Sequence, residues 1–281
     1  MSVEPIVAEP VPDDIDARPG STASLLRTFV GLYLRRLDGH ITTADLVRLS
    51  EAVGLPGARA RTGIARLKQR HLLLASQERG SGYRLNPAAV PMLERGDRRI
   101  FAVRQMHDDD PWCLISYSIP ESRRDVRHQL RRRLQWIGCG VVSPALWICP
   151  WHLHHEAHEI LVELGVRDAA VLFRAEDPRP ADPLAETIAA WWDLDALRRE
   201  HSAFQSTLAE LPPATTEREA FASYVRLIDA WRVLPYVDPG LPASLLPSDW
   251  PGQQSFDRFA ALSTVLAGPA WEHVRATVGR R

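Results

Sequence analysis

Arg59, Thr62, Arg66 and Gln69 stand three or four residues apart. At about 100° of turn per residue they share one face of a helix, while Ala60, Ile64 and Leu67 share the other. Guanidinium forks and amide ends on an outward face are the groups that read base edges in a DNA major groove. Arg61, Lys68, Arg79 and Arg84 are spaced to neutralise phosphate, a contact that positions a protein without reading sequence. Arg61 lies nearer the packed face, where it would brace the fold instead. The chemistry implied is recognition, not bond breaking.

The segments around this helix are those a winged helix-turn-helix needs, over about residues 25–85. Residues 24–37 carry Leu25, Leu26, Phe29, Val30, Tyr33, Leu34 and Leu37 at helical spacing and stop at Asp38-Gly39. After a short extended piece at 40–42, Thr43 is the expected N-cap of a helix over 44–53, with Gly54 just beyond its end. Pro56 is expected at the first position of the next helix. Two helices joined by so short a turn, the second one basic, form the DNA-reading arrangement. Residues 72–76 and 83–85, joined by a Gly-containing turn, read as the hairpin wing.

Two other clusters bear on catalysis and metal binding. His154 and His158 are four apart on an expected helix, as are His155 and Glu159, but HExxH is not met and no further His or Cys stands at ligand spacing. Asp108-Asp109-Asp110 is a like-charge run of the kind that faces solvent. Nucleophile elbow, phosphate-binding loop and dinucleotide fingerprint are not found. The expectation is therefore no enzyme, no metal and no cofactor.

The chain has 281 residues and a formal charge of -1, which alone would speak against nucleic acid. Its distribution speaks for it: residues 20–104 hold 15 Arg or Lys against 6 Asp or Glu. Lys68 is the sole lysine, a bias that suits bidentate arginine contacts and equally suits a GC-rich genome. Residues 1–20 are acidic and proline-rich and read as a disordered tail without the features of a signal peptide. Cys113, Cys139 and Cys149 form no CxxC and read as buried thiols, and no run is long and apolar enough to span a membrane. A cytoplasmic location is expected.

The fold class expected is α+β in three parts: a winged helix-turn-helix with a linker helix over 21–107, a ferredoxin-like βαββαβ domain over 108–176, and a helical C-terminal domain over 184–281. The central part runs strand 112–119, basic helix 121–137, hairpin strands 140–142 and 145–149, helix 154–164 and strand 169–173. Proline-rich residues 177–183 separate it from helices expected at 184–211, 217–233 and 255–278. The segment 235–252 is too apolar to hang free and must lie against something.

In this order, Ala60-Arg61-Thr62-Gly63-Ile64-Ala65-Arg66-Leu67, Trp136-Ile137-Gly138-Cys139-Gly140 with Leu146-Trp147-Ile148-Cys149-Pro150, and Asp238-Pro239-x-Leu-Pro-x-x-Leu-Leu-Pro-x-x-Trp-Pro-Gly252 resemble the PaaX family of phenylacetate-degradation repressors. That resemblance spans about residues 24–274. It implies a homodimer that binds double-stranded operator DNA and releases it on binding an effector, phenylacetyl-CoA or another CoA thioester. The central domain also resembles CRISPR-associated ferredoxin-like nucleases, whose first strand ends in a metal-binding aspartate. Here Ser118 stands at that place, a poor ligand for a hard cation.

For such an effector, arginine forks suit phosphates and aromatic walls suit an aryl group. Arg127 and Arg131 on the basic helix, with Trp136 and Trp147, are the candidates; a solvated or DNA-flanking arginine face and core tryptophans are the alternative. A second functional class is a winged-helix adaptor that binds protein or RNA without effector response.

Overall fold

A computed structural model of the chain describes residues 18–78 and 80–279, so Arg79 and most of the expected tail lie outside the described residues. In chain order the elements are α1 (Thr22–Tyr33), β1 (His40–Thr42), α2 (Thr43–Ala52), α3 (Gly57–Gln69), β2 (Leu73–Ser76), β3 (Gly82–Leu85) and α4 (Val90–Phe101). There follow β4 (Trp112–Tyr117), α5 (Arg124–Trp136), β5 (Gly140–Ser143), β6 (Leu146–Pro150), α6 (His154–Glu163) and β7 (Ala170–Ala175). The remainder is α7 (Leu184–Trp191), α8 (Leu194–Ala209), α9 (Glu217–Trp231), the short α10 (Leu234–Val237) and α11 (Gly252–Val278). The chain is α+β, as expected, and forms two compact units.

The first unit comprises the described residues up to Phe101 together with Phe204–Arg232 and the described residues from Phe256 on. Ser21 caps α1 by accepting from the Ser24 amide, and Leu25, Leu26, Phe29, Val30 and Tyr33 are buried. α2 is capped by Thr42 rather than Thr43, whose own residue is already helical: the Thr42 hydroxyl oxygen accepts from the Asp45 amide at 3.1 Å. Pro56 likewise sits one position earlier than expected, before the first residue of α3. β1, β3 and β2 pair antiparallel in that order, with His40 opposite Arg84 and Leu73 opposite Leu85. A Cβ on Gly82 would stand 2.3 Å from the Ile41 carbonyl oxygen, so the strands close only over glycine.

The helices expected as one body over 184–281 are distributed between both units. α9 opens with a capping box, Thr216 and Glu219, and buries Phe221, Val225 and Ile228. Phe221 lies 6.3 Å from Phe29 and 5.7 Å from Tyr33 between ring centroids, and Tyr33 stacks on Trp271 of α11 at 6.1 Å. Asp229 is 1% exposed and accepts from the Gly20 amide at 2.6 Å, the Thr28 hydroxyl at 2.8 Å and the Ser24 hydroxyl. The apolar faces of α1 and α9 thus complete one core.

The second unit is residues 102–203 with Val233–Ser255. Its antiparallel sheet has the order β5-β6-β4-β7, which for a βαββαβ chain is the ferredoxin-like arrangement. Alternation along β4 and β6 decides the two faces. Cys113, Ile115, Tyr117, Trp147 and Cys149 pack under Leu130, Leu134, Ile160 and Leu161 of α5 and α6. The opposite face, with Trp112, Leu114 and Ile148, is covered by Ile188 of α7, Trp192, Leu241, Leu245 and Leu246. The apolar segment 235–252 therefore lies partly on the second face of the sheet.

The single helix expected over 184–211 breaks at Trp192-Asp193, where Trp192 is extended and the Asp193 carboxylate accepts from the Ala196 amide at 2.8 Å. Trp192 then donates from its indole to the Gly138 carbonyl at 2.9 Å, and its ring fills the space over Gly140. No helix among the described residues is long and apolar enough to cross a membrane.

Candidate nucleic-acid interface

α3 owes its orientation to a division of its surface. Ala60, Gly63, Ile64 and Leu67 are buried against the helices beneath it. Gly63 permits the closest approach: a Cβ there would stand 2.2 Å from Leu26 Cδ1 and 3.0 Å from Thr22 Cγ2, both on α1. Arg59, Arg61, Thr62, Arg66, Lys68 and Gln69 are all exposed. Arg61, expected near the packed face, points out with the rest.

Among the described residues, the side chains of Arg59, Arg61, Arg66 and Lys68 make no ion pair or hydrogen bond, while the Thr62 hydroxyl donates to the Ala58 carbonyl at 3.2 Å. Four cations on one solvent-facing helix raise the local positive potential and leave their donors available to an anion. The helix ends at Arg70, and His71 adopts a left-handed φ of 58°. The Asn86 side-chain amide donates to the His71 carbonyl at 2.7 Å, so the end of β3 fastens the turn between α3 and the wing. Arg84 is half-buried on β3, in the row shared with His40 and Leu74.

Sequence reasoning missed the residues that hold this surface from far along the chain. Arg226 of α9 donates to the Val53 carbonyl, at the turn between α2 and α3, at 3.1 Å. Arg48 of α2 pairs with Asp45 at 2.8 Å and reaches the Thr277 carbonyl of α11 at 3.3 Å. Arg226, set between Tyr224-Val225 and Leu227-Ile228, was the signal present in α9, but nothing local says what it touches.

The four effector candidates are all in the second unit and do not converge. Arg127 pairs with Glu121 at 2.6 Å and also donates to the Ile119 carbonyl at 3.4 Å, whereas Arg131 is exposed. Trp136 stacks on Tyr236 at 5.6 Å, and Trp147 is 1% exposed inside the core under α5. Trp147 is therefore a packing residue here, because its place on β6 faces the helix layer rather than solvent.

The same unit holds the other chemical candidates. His154 stacks on Trp151 at 4.1 Å, with Nδ1 2.7 Å from the Trp151 carbonyl, which ties the first residue of α6 back to the turn before it. Cys113 and Cys149 are strand partners, and the hydrogen bond between the thiols, with burial, pushes the Cys113 thiol far up and away from thiolate chemistry. Ser118 follows β4, exposed, with its amide donating to the Ala169 carbonyl at 2.9 Å. The segment 235–252 is held to α8 by Asp238 with His201 at 2.8 Å, and by Arg198 with Asp249 at 2.9 Å, an ion pair that lowers the Asp249 pKa.

These features define a winged helix-turn-helix protein with a ferredoxin-like second module. Three family domains match the chain: "PaaX-like protein" over residues 21–89, "PaaX protein central Cas2-like domain" over 105–186, and "PaaX-like protein C-terminal domain" over 192–276. The chain belongs to the PaaX family. It is 27% identical over 249 residues to the transcriptional repressor PaaX of Escherichia coli strain K12, covering 85% of this chain and 78% of that protein. It shares its fold with the uncharacterized protein Rv0674 from Mycobacterium tuberculosis, at 20% identity and a TM-score of 0.59, over 91% of this chain and 99% of the other.

Proposed function

We propose that this protein is a PaaX-like transcriptional repressor that binds double-stranded operator DNA through α3. The observation that carries the reading is that the side chains of Arg59, Arg61, Arg66 and Lys68, on the second helix of the helix-turn-helix, are exposed and have no partner among the described residues. Thr62 and Gln69 complete the groove-reading face, and Arg84 of β3, with Arg79 five residues before it in the sequence, is assigned to phosphate. The protein acts by binding, not by catalysis, and as a homodimer, since a two-fold reader matches two half-sites. Family membership supports release by a CoA thioester such as phenylacetyl-CoA.

Fluorescence anisotropy of the full chain on DNA from upstream of its own gene, at fixed salt, tests this. Tighter binding than to random duplex, reversed by one of a panel of aryl- and acyl-CoA thioesters, is the expected result. Binding that no thioester reverses withdraws the effector; binding no tighter than random to this DNA or to any duplex enriched from a random pool withdraws the repressor.

A further inference from the structure

The joint between α2 and α3 is the point at which the reading helix is aimed, and it is short: residues 53–56. At the end of α2 the last carbonyls lose their helical partners, and Gly54 reverses the chain at a left-handed φ of +86°. The Arg226 guanidinium fills this position. Its Nη2 donates to the Val53 carbonyl at 3.1 Å and would lie 3.2 Å from a Cβ at residue 54. A cation here also meets the negative end of the α2 dipole.

α9 cannot simply follow the joint, because Asp229, one turn beyond Arg226, is fixed to α1 through Gly20, Ser24 and Thr28. α1 in turn packs on α3 at Gly63. The joint is therefore referenced through Arg226 to the same helix that carries the far side of α3. We propose that Arg226 is a positioning residue for DNA recognition: by hydrogen bonding Val53 it sets the angle of α3 to α2, and so governs sequence preference rather than general affinity.

This rests on the DNA-binding reading, and one experiment separates the two. The full-length protein first enriches a preferred duplex from a random-sequence pool; its affinity for that duplex and for the unselected pool is then measured across a salt series. Arg226→Ala is expected to lower the preference by about tenfold, in the range of one hydrogen bond to a charged group, with pool affinity and salt slope unchanged. Arg226→Gln, neutral but still an N–H donor, is expected to keep most of the preference. Because Arg226 is exposed, a direct phosphate contact is the rival role: Ala and Gln variants that both weaken binding to every duplex and both flatten the salt slope would overturn the inference. So would an Ala variant with the wild-type preference. A wild-type protein that enriches no duplex removes the repressor reading and this inference with it.

Discussion

Arg66 faces solvent on α3 with no side-chain partner among the described residues, one helical turn from Thr62 and from Gln69, on the face proposed to read DNA. A side chain that reads a base there should lose about 1–3 kcal/mol of binding to the preferred duplex when cut to alanine, with the fold unchanged. Anisotropy on preferred and random duplex checks this, and an Arg66→Ala protein with intact preference would move the reading elsewhere on α3. Asp229 is the opposite kind of residue, a buried carboxylate whose acceptor sites are filled from α1 and by Arg232 of its own helix at 3.3 Å. Removing one member of a buried charge-assisted network leaves its partners unsatisfied and costs about 3–5 kcal/mol. Asp229→Ala should lower the urea midpoint accordingly, and a loss under about 0.5 kcal/mol, the usual surface value, would show the network to be idle.

The start of α9 shows how an element can be set by a few local hydrogen bonds and remain sensitive to pH. Glu219 accepts from the Thr215 hydroxyl and from the Thr215 and Thr216 amides, which hold its pKa down to about 2 from 4.5. A carboxylate depressed in the folded state stabilises fully above its unfolded pKa and ceases to do so as pH falls through its folded one. The difference in Tm between wild type and Glu219→Ala should thus be constant near neutrality, begin to shrink below about pH 4.5 and vanish near pH 2. Thermal melts across that range decide it, and a gap independent of pH would mean the cap acts through packing alone. The other elements speak to the same point: Thr42 rather than Thr43 caps α2, because its extended backbone at ψ 153° aims its hydroxyl at Asp45.

At the scale of the whole molecule, the winged part is not self-sufficient. Phe29 and Tyr33 of α1 are closed over by Phe221 and Trp271 of distant helices, and the Asp229 network joins them. A chain ended after residue 203 keeps the complete helix-turn-helix and wing but uncovers this face. It should lose the cooperative unfolding of the winged unit and with it the preference for the enriched duplex. Urea titration followed by anisotropy is the check, and a truncated protein that melts and selects like the full chain would contradict the shared core.

Periodicity and turn residues were enough to find α1, α2, α3, the wing and the βαββαβ order, because each depends on neighbours within about one helical turn or one hairpin. The exposed face of α3 was legible for the same reason: apolar residues at helical spacing settle which side is buried, and Arg59, Thr62, Arg66 and Gln69 must take the other. What lay outside the reach of sequence were contacts across long separations. Nothing in the local pattern says that Arg226 meets Val53, that Trp192 covers Gly140, or that Trp147 turns into the core while Trp136 stacks on Tyr236. Burial of apolar area has no direction along the chain, so an amphipathic helix such as α9 announces that it will pack but not against what. The sequence by itself determined the elements and the chemistry of the exposed face of α3; only the tertiary structure decided which distant helices hold that face in place.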